Sequence, residues 1–245
     1  MPPPPFEATL PAASCVAEPP IPGYLEQVYW WAYVHPNAVQ LFEREWLVNT
    51  ILFGNYGRLR DAALAELAEP AAPHAPVRGR TLQVACVYGN LTPLLQRRLA
   101  PEARLDVVDI LPVQLDNLRR KLPADPRIAL LRGDASALAC PDGSYEQVLL
   151  FFLLHEMPEA VRRGTLAEAM RVLAPGGKLV VVDYHRPVAM HPLRPLMRQV
   201  FRHLEPYATD LWQHEVAEFM PTGTAPFRKD TYFGGLYQKL VLTKA

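Results

Sequence analysis

From residue 80 onward the chain alternates short apolar runs with amphipathic segments, a rhythm that few folds can absorb. Thr81–Val87 reads as a first strand and Leu94–Leu99 as helix, then Leu105–Ile110 as a second strand and Val113–Leu122 as a second helix. Ile128–Leu131 and Gln147–Leu154 are third and fourth strands, the latter apolar on both faces as a central parallel strand should be. A helix over Glu159–Leu173 stops at Pro175-Gly176-Gly177, and Lys178–Asp183 is a fifth strand. Helical segments around 193–204 and 211–219 follow, and a hairpin over Tyr232–Thr243 closes the pattern. Such alternation with right-handed crossovers predicts an α/β fold, a doubly wound, mostly parallel sheet whose ligand lies beyond the strand C-termini.

The chain ahead of this domain differs in kind. Prolines number 26, about twice the usual ~5% share, and they gather in residues 1–22 and 70–79. The first stretch reads as a disordered tail and the second as a linker, leaving 80–245 as the α/β domain. Between them, 23–69 is a helical annex in which Leu25, Val28, Trp31 and Ala32, then Val39, Phe42, Trp46, Leu47 and Ile51, recur at helical spacing. Its aromatic content suits either a packed helical layer or a lid over a flat aromatic ligand.

Charge and cysteine usage narrow the function classes. Lys plus Arg equals Asp plus Glu at 25 each, which argues against a nucleic-acid partner. Cys15, Cys86 and Cys140 lack paired spacing, so neither a disulfide framework nor a zinc knuckle is indicated, in keeping with a reducing compartment. No secretory signal is expected, and the longest apolar run, Val148–Leu154, is far short of the ~20 residues of a membrane span.

Two acids fall where a nucleoside ligand needs them. Asp109 ends the second strand 20 residues after the Gly89 turn, where a carboxylate can accept both ribose hydroxyls. Asp134, in Gly133-Asp-Ala135, follows the third strand, where an acid can accept from an adenine amino group. Each alone is as readily a helix cap or a solvated acid; the order and spacing give the pair its meaning.

That order resembles the class I methyltransferases that bind S-adenosylmethionine, over roughly residues 80–186. Arg171-Val-Leu-Ala-Pro-Gly-Gly-Lys-Leu-Val-Val-Val-Asp183 is similar to the turn and fifth strand of quinone and sterol methyltransferases in that superfamily. The resemblance implies a seven-stranded, Rossmann-like sheet. The first loop departs from the pattern Asp-x-Gly-x-Gly-x-Gly: Gln83 replaces the acid, Ala85 and Val87 the first two glycines, and Gly89 alone remains. The departure itself, Val84-Ala-Cys-Val-Tyr-Gly-Asn-Leu-Thr92, resembles rhodoquinone biosynthesis methyltransferase-like proteins. So do Trp46-Leu-Val-Asn-Thr-Ile-Leu-Phe-Gly-Asn-Tyr56, Phe151-Phe-Leu-Leu-His-Glu156, Asp183-Tyr-His-Arg-Pro187 and Thr231-Tyr-Phe-Gly-Gly-Leu-Tyr-Gln238.

This narrower resemblance implies that ubiquinone exchanges a methoxy group for an amino group, with S-adenosylmethionine as nitrogen donor and a divalent metal, chiefly manganese, in support. It also implies a cytoplasmic protein held peripherally at the inner membrane. A conventional quinone or phenol methyltransferase and a non-catalytic S-adenosylmethionine-binding protein stay open as alternatives.

The cofactor site then comprises Gln83, Ala85, Cys86, Val87, Tyr88, Gly89, Asp109, Ile110, Gly133, Asp134, Ala135 and Phe151. For an amine to attack a ring carbon it must be neutral, and a nearby carboxylate would favour its charged form, so Gln83 in place of an acid removes that bias. His155, Glu156, Asp183, Tyr184 and His185 follow the fourth and fifth strands, and with Tyr88 they are the candidate catalytic residues. His155, Glu156, Asp183 and His185 are also the candidate metal ligands, as mixed imidazole and carboxylate donors suit manganese. Trp30, Trp31, Tyr33, Trp46 and Tyr56 are candidate aromatic walls for the quinone. Arg194, Arg198 and Arg202, four apart, form either a solvated face or a contact for anionic headgroups.

Overall fold

The computed structural model describes residues 19–29, 36–68 and 75–245. Among these the predicted sheet is present with seven strands: β1 (Arg80–Val84), β2 (Arg104–Asp109), β3 (Ile128–Arg132), β4 (Tyr145–Phe151), β5 (Leu173–Tyr184), β6 (Arg228–Tyr232) and β7 (Tyr237–Thr243). Their order is β3-β2-β1-β4-β5-β7-β6, with the first five parallel and β7 antiparallel to both neighbours. The order reverses between β1 and β4, which opens a crevice beyond their C-terminal ends.

Side-chain alternation explains why the strands sit centrally. In β5, Val180 and Val182 face one apolar core while Leu179 and Val181 face another, and all four are fully buried. Helices α5 (Leu91–Arg98), α6 (Pro112–Lys121) and α7 (Glu159–Val172) supply the crossovers, and α8 (Arg194–His203) follows β5. Regular β4–β5 pairing resumes at Lys178, where the fifth strand was expected; the backbone before it is irregular, with Gly176 at φ +75°.

The N-terminal helices are α1 (Gly23–Val28), α2 (Pro36–Phe42), α3 (Glu45–Ile51) and α4 (Tyr56–Leu67). The last is less a lid than a layer of the domain, since Leu59, Ala63, Leu64 and Leu67 are buried in the core beneath β5 and β7. Part of the expected linker is also integral: Val77 is fully buried and pairs with Arg98 and Ala100 through backbone bonds of 2.6 and 2.9 Å. Likewise Pro19, in the expected tail, accepts from Arg132, and Pro22 reaches the crevice. Residues 1–18 and 69–74 lie outside the described residues. Among the described residues, no helix is long and apolar enough to cross a membrane.

Candidate active site

The crevice at the strand ends encloses about 1330 Å³, counting its mouth. Its floor begins with the loop after β1. Ala85 occupies the left-handed region at φ +69°, the conformation for which glycine is suited, at a cost of about 1–2 kcal/mol for an alanine. The turn thus adopts a backbone that ordinarily calls for glycine while carrying an alanine. Asp109, at the end of β2, accepts from Cys86 N at 2.7 Å and Leu111 N at 2.8 Å, which fixes its carboxylate at the loop. Burial raises the Asp109 carboxyl above its ordinary value, and these amide donors pull it back. Asp134 is oriented by Ser136, whose N and Oγ both donate to Oδ1 at 2.7 Å. A Cβ at Gly133 would come 2.9 Å from Val108, so the turn between the two acids tolerates no side chain.

Of the candidate cofactor residues, Ala85, Cys86, Val87, Tyr88, Asp109, Ile110, Gly133, Asp134, Ala135 and Phe151 line the crevice. Gln83 and Gly89 do not. Gln83 is fully buried; it donates to Ala85 O at 2.9 Å and accepts from Thr92 Oγ1 at 3.0 Å. Gly89 is covered by Tyr56, whose hydroxyl would lie 2.6 Å from an added Cβ. That hydroxyl donates to Tyr88 O and receives the amides of Asn90 and Leu91 at 2.9 and 3.0 Å. Lys121 clamps the same loop by donating to Val87 O, Gly89 O and Glu43.

The opposite wall carries the ionisable groups. Leu154–Glu156 is a single 3₁₀ turn after β4, and it places His155 and Glu156 in the crevice with Tyr184 from the end of β5. Phe152 holds a left-handed φ of +52° to make this turn. Its ring meets His155, Tyr184 and Tyr237 edge to face. His155 Nδ1 lies 2.9 Å from Asp183 Oδ1, while the other Asp183 oxygen takes Leu154 N at 2.8 Å. Burial disfavours the imidazolium, yet the Asp183 charge and hydrogen bond, with Glu205 and Glu156 behind them, push His155 up to about 9. Its Nε2 stands 3.8 Å from Glu156 and 3.9 Å from Glu205, too far to hydrogen-bond either.

Several expectations are corrected. Asp183 is fully buried and orients His155 from behind instead of entering the crevice. His185 opens on a different groove, where its Nδ1 meets Gly235 O at 2.8 Å. The four candidate metal ligands are therefore not brought together. Among the described residues, no group of three or more His, Cys, Asp or Glu side chains is arranged to hold a metal ion. Tyr88 lines the crevice, but burial pushes its phenol up, and it accepts from Gln114 at 2.7 Å, so it is no base at neutral pH. Of the aromatic walls Tyr56 is in place; Trp46 is 61% exposed and outside the crevice, and Trp30, Trp31 and Tyr33 lie outside the described residues.

Two residues that shape this part of the crevice escaped the sequence reading. Glu205, from the turn after α8, lines the crevice; burial raises its carboxyl, and His155 and Tyr29 oppose the shift. Arg162, on α7, is wholly buried and ties that turn to the His155 turn, donating to Leu154 O, Met157 O and Tyr207 O at 2.9 to 3.0 Å.

Residues 81–177 match a family model described as a methyltransferase domain. The demethylmenaquinone methyltransferase of Thermus thermophilus is 36% identical over 143 residues, which cover 58% of this chain and 61% of that protein. The ubiquinone/menaquinone biosynthesis C-methyltransferase UbiE of Dinoroseobacter shibae is 34% identical over 145 residues, covering 56% and 53%. The chain thus spans about three-fifths or less of the length of these curated relatives. Human N-acetylserotonin methyltransferase, solved with SAM, superposes with a TM-score of 0.59 at 15% identity over 91% of this chain and 62% of that one. The α/β domain has the class I methyltransferase fold.

Proposed function

We propose that the chain binds S-adenosylmethionine along the ends of β1, β2 and β3 and transfers its methyl group to a ring of the quinone class. One observation carries the reading: the left-handed turn at Ala85 shares a single crevice with Asp109 and Asp134, and the same crevice is lined by a histidine, His155, held by Asp183 at 2.9 Å. The names of the curated relatives speak for methyl transfer to a quinone ring over amino transfer.

The residues present fit the cofactor. Asp109 would accept ribose hydroxyls and Asp134 would accept from the adenine amino group, both from the lining of the crevice. When bound, the cofactor supplies an electrophilic methyl group. The protein's part is to make the ring carbon nucleophilic. His155, held by Asp183, donates to a ring oxygen and stabilises its anion, while Glu156 and Glu205 flank that position to receive the proton that the ring gives up. Tyr184 and Phe152 pack the flat ring, and Phe42, Val48 and Ile51 make an apolar lip for a lipophilic tail.

A second reading, amino transfer to ubiquinone, rests on the altered first loop. A carboxylate in place of Gln83 would lie beside the cofactor loop, whereas the Gln83 amide is neutral and locked by two hydrogen bonds. Redox state separates the two chemistries: methylation needs the electron-rich quinol, amine addition the electron-poor quinone. Purified protein is incubated with S-adenosylmethionine and either form of ubiquinone or a demethylated analogue, with and without manganese, and products are read by mass spectrometry. A methylated product from the quinol supports the first reading; exchange of methoxy for amino from the quinone replaces it with the second. S-adenosylmethionine binding without turnover in any arm would leave a binding protein.

A further inference from the structure

A second groove, about 1180 Å³ with its mouth, lies between the segment after β5 and the β6–β7 turn. The segment is firmly attached. His185 N and Val188 N donate to Leu236 O and Gly234 O at 2.9 Å, and the His191 ring meets Phe233 edge to face at 5.1 Å. A Cβ at Gly234 would come 2.6 Å from that imidazole, so the close approach requires glycine there.

The groove carries more cationic than acidic side chains. Arg186, Arg194 and Lys229 line it with a single acid, Glu215. Glu215 is engaged by Lys229 at 2.7 Å and faces His185 at 3.6 Å, and among the described residues Arg186 and Arg194 have no ion-pair partner. The Arg194 Nε is buried with no hydrogen-bond partner. From His185 to Leu204 the chain holds four arginines and no acid, and Arg198 and Arg202 are exposed on α8. Beside these charges stand apolar side chains: Met190 is 91% exposed, Val188 59% and Leu196 50%.

A rigid turn that offers a methionine to solvent beside unpaired arginines has the chemistry of a surface made for lipid: guanidinium groups for phosphates, apolar tips for the acyl boundary. An acidic protein or a nucleic acid would use the arginines and leave Met190 unexplained. We propose that this face docks on an anionic phospholipid bilayer, with a headgroup phosphate between Arg186 and Arg194 and with Val188 and Met190 inserted past it. The inference does not depend on which group the crevice transfers.

Flotation of the full chain with phosphatidylcholine vesicles, with or without phosphatidylglycerol, tests it. Binding is expected to the anionic vesicles and not to the neutral ones. Removing both charges in Arg186→Gln/Arg194→Gln should weaken partition about thirtyfold, at ~1 kcal/mol per charge. Met190→Asp, at an exposed site that cannot unfold the chain, should weaken it about tenfold and leave a residue of binding that salt removes. S-adenosylmethionine titration of each variant verifies that the crevice is intact. Equal binding to both vesicle types, no binding, or binding unaffected by Met190→Asp would overturn the proposal. So would inorganic phosphate binding that persists in Met190→Asp without any vesicle binding, which would make the groove a seat for free phosphate.

Discussion

The hydroxyl of Tyr56 fills the space that a side chain at Gly89 would need, so an aromatic residue of the annex requires glycine at that point of the first loop. Gly89 also sits at φ +80°. Gly89→Ala therefore meets both backbone strain and a clash, and we expect a loss of about 2–3 kcal/mol in denaturant unfolding. Tyr56→Phe removes one donor and one acceptor shared by three backbone groups and should cost about 1–3 kcal/mol. Because the residues touch, the double mutant should fall short of additivity; additive losses would show that Tyr56 does not shape the loop.

Ala85 gives the opposite sign. Replacing it with glycine relieves the left-handed alanine, worth about 1–2 kcal/mol, against about 0.4–1 kcal/mol of added freedom in the unfolded chain. Ala85→Gly should be neutral to stabilising by about 1 kcal/mol and should keep S-adenosylmethionine affinity, read by calorimetry. A clear destabilisation would mean that the Ala85 methyl packs in a way its backbone does not reveal.

The sheet was legible because short continuous apolar runs such as Leu179–Val182 need cover on both faces, as a central parallel strand has, and the acids Asp109 and Asp134 because strand ends carry the ligand in this topology. The acceptor wall was less legible. Asp183 and His185 are two apart and would share a face if β5 ran on, but the strand ends at Tyr184 and the turn after it sends His185 elsewhere. Glu205 sits in a turn 50 residues beyond His155, and Arg162 stands beside Arg163 on an amphipathic helix where both read as surface. Only tertiary packing brings them to the crevice.

The His155–Asp183 pair predicts a pH dependence. His155 titrates near 9 in the folded chain, above the ~6.5 of an unfolded histidine. The pair's contribution to stability is therefore whole below about pH 6.5 and fades as pH rises through about 9. If protonated His155 is the donor to the ring, turnover falls over the same upper range. Asp183→Asn should lower the His155 titration, seen by NMR of the imidazole, abolish this alkaline loss and cost about 3 kcal/mol at neutral pH. A wild-type His155 that titrates near 6.5 would remove the donor role.

Arg162 offers the sharpest separation of architecture from chemistry. Its guanidinium is fully buried and lies 4.7 Å over the Phe219 ring. It binds carbonyls from the His155 turn and from Tyr207, with Asp210 at 3.2 Å. Nothing else with its reach could satisfy both turns at once, since a lysine has one nitrogen where this fork uses three. Arg162→Lys should lose about 3–5 kcal/mol by leaving buried carbonyls unmet. It should also let Glu205 drift from His155, lowering the imidazole titration without touching Asp109 or Asp134. S-adenosylmethionine affinity at low temperature would then stay near wild type while turnover drops at least tenfold. Affinity and turnover falling together would instead mean that the two walls of the crevice form one cooperative unit.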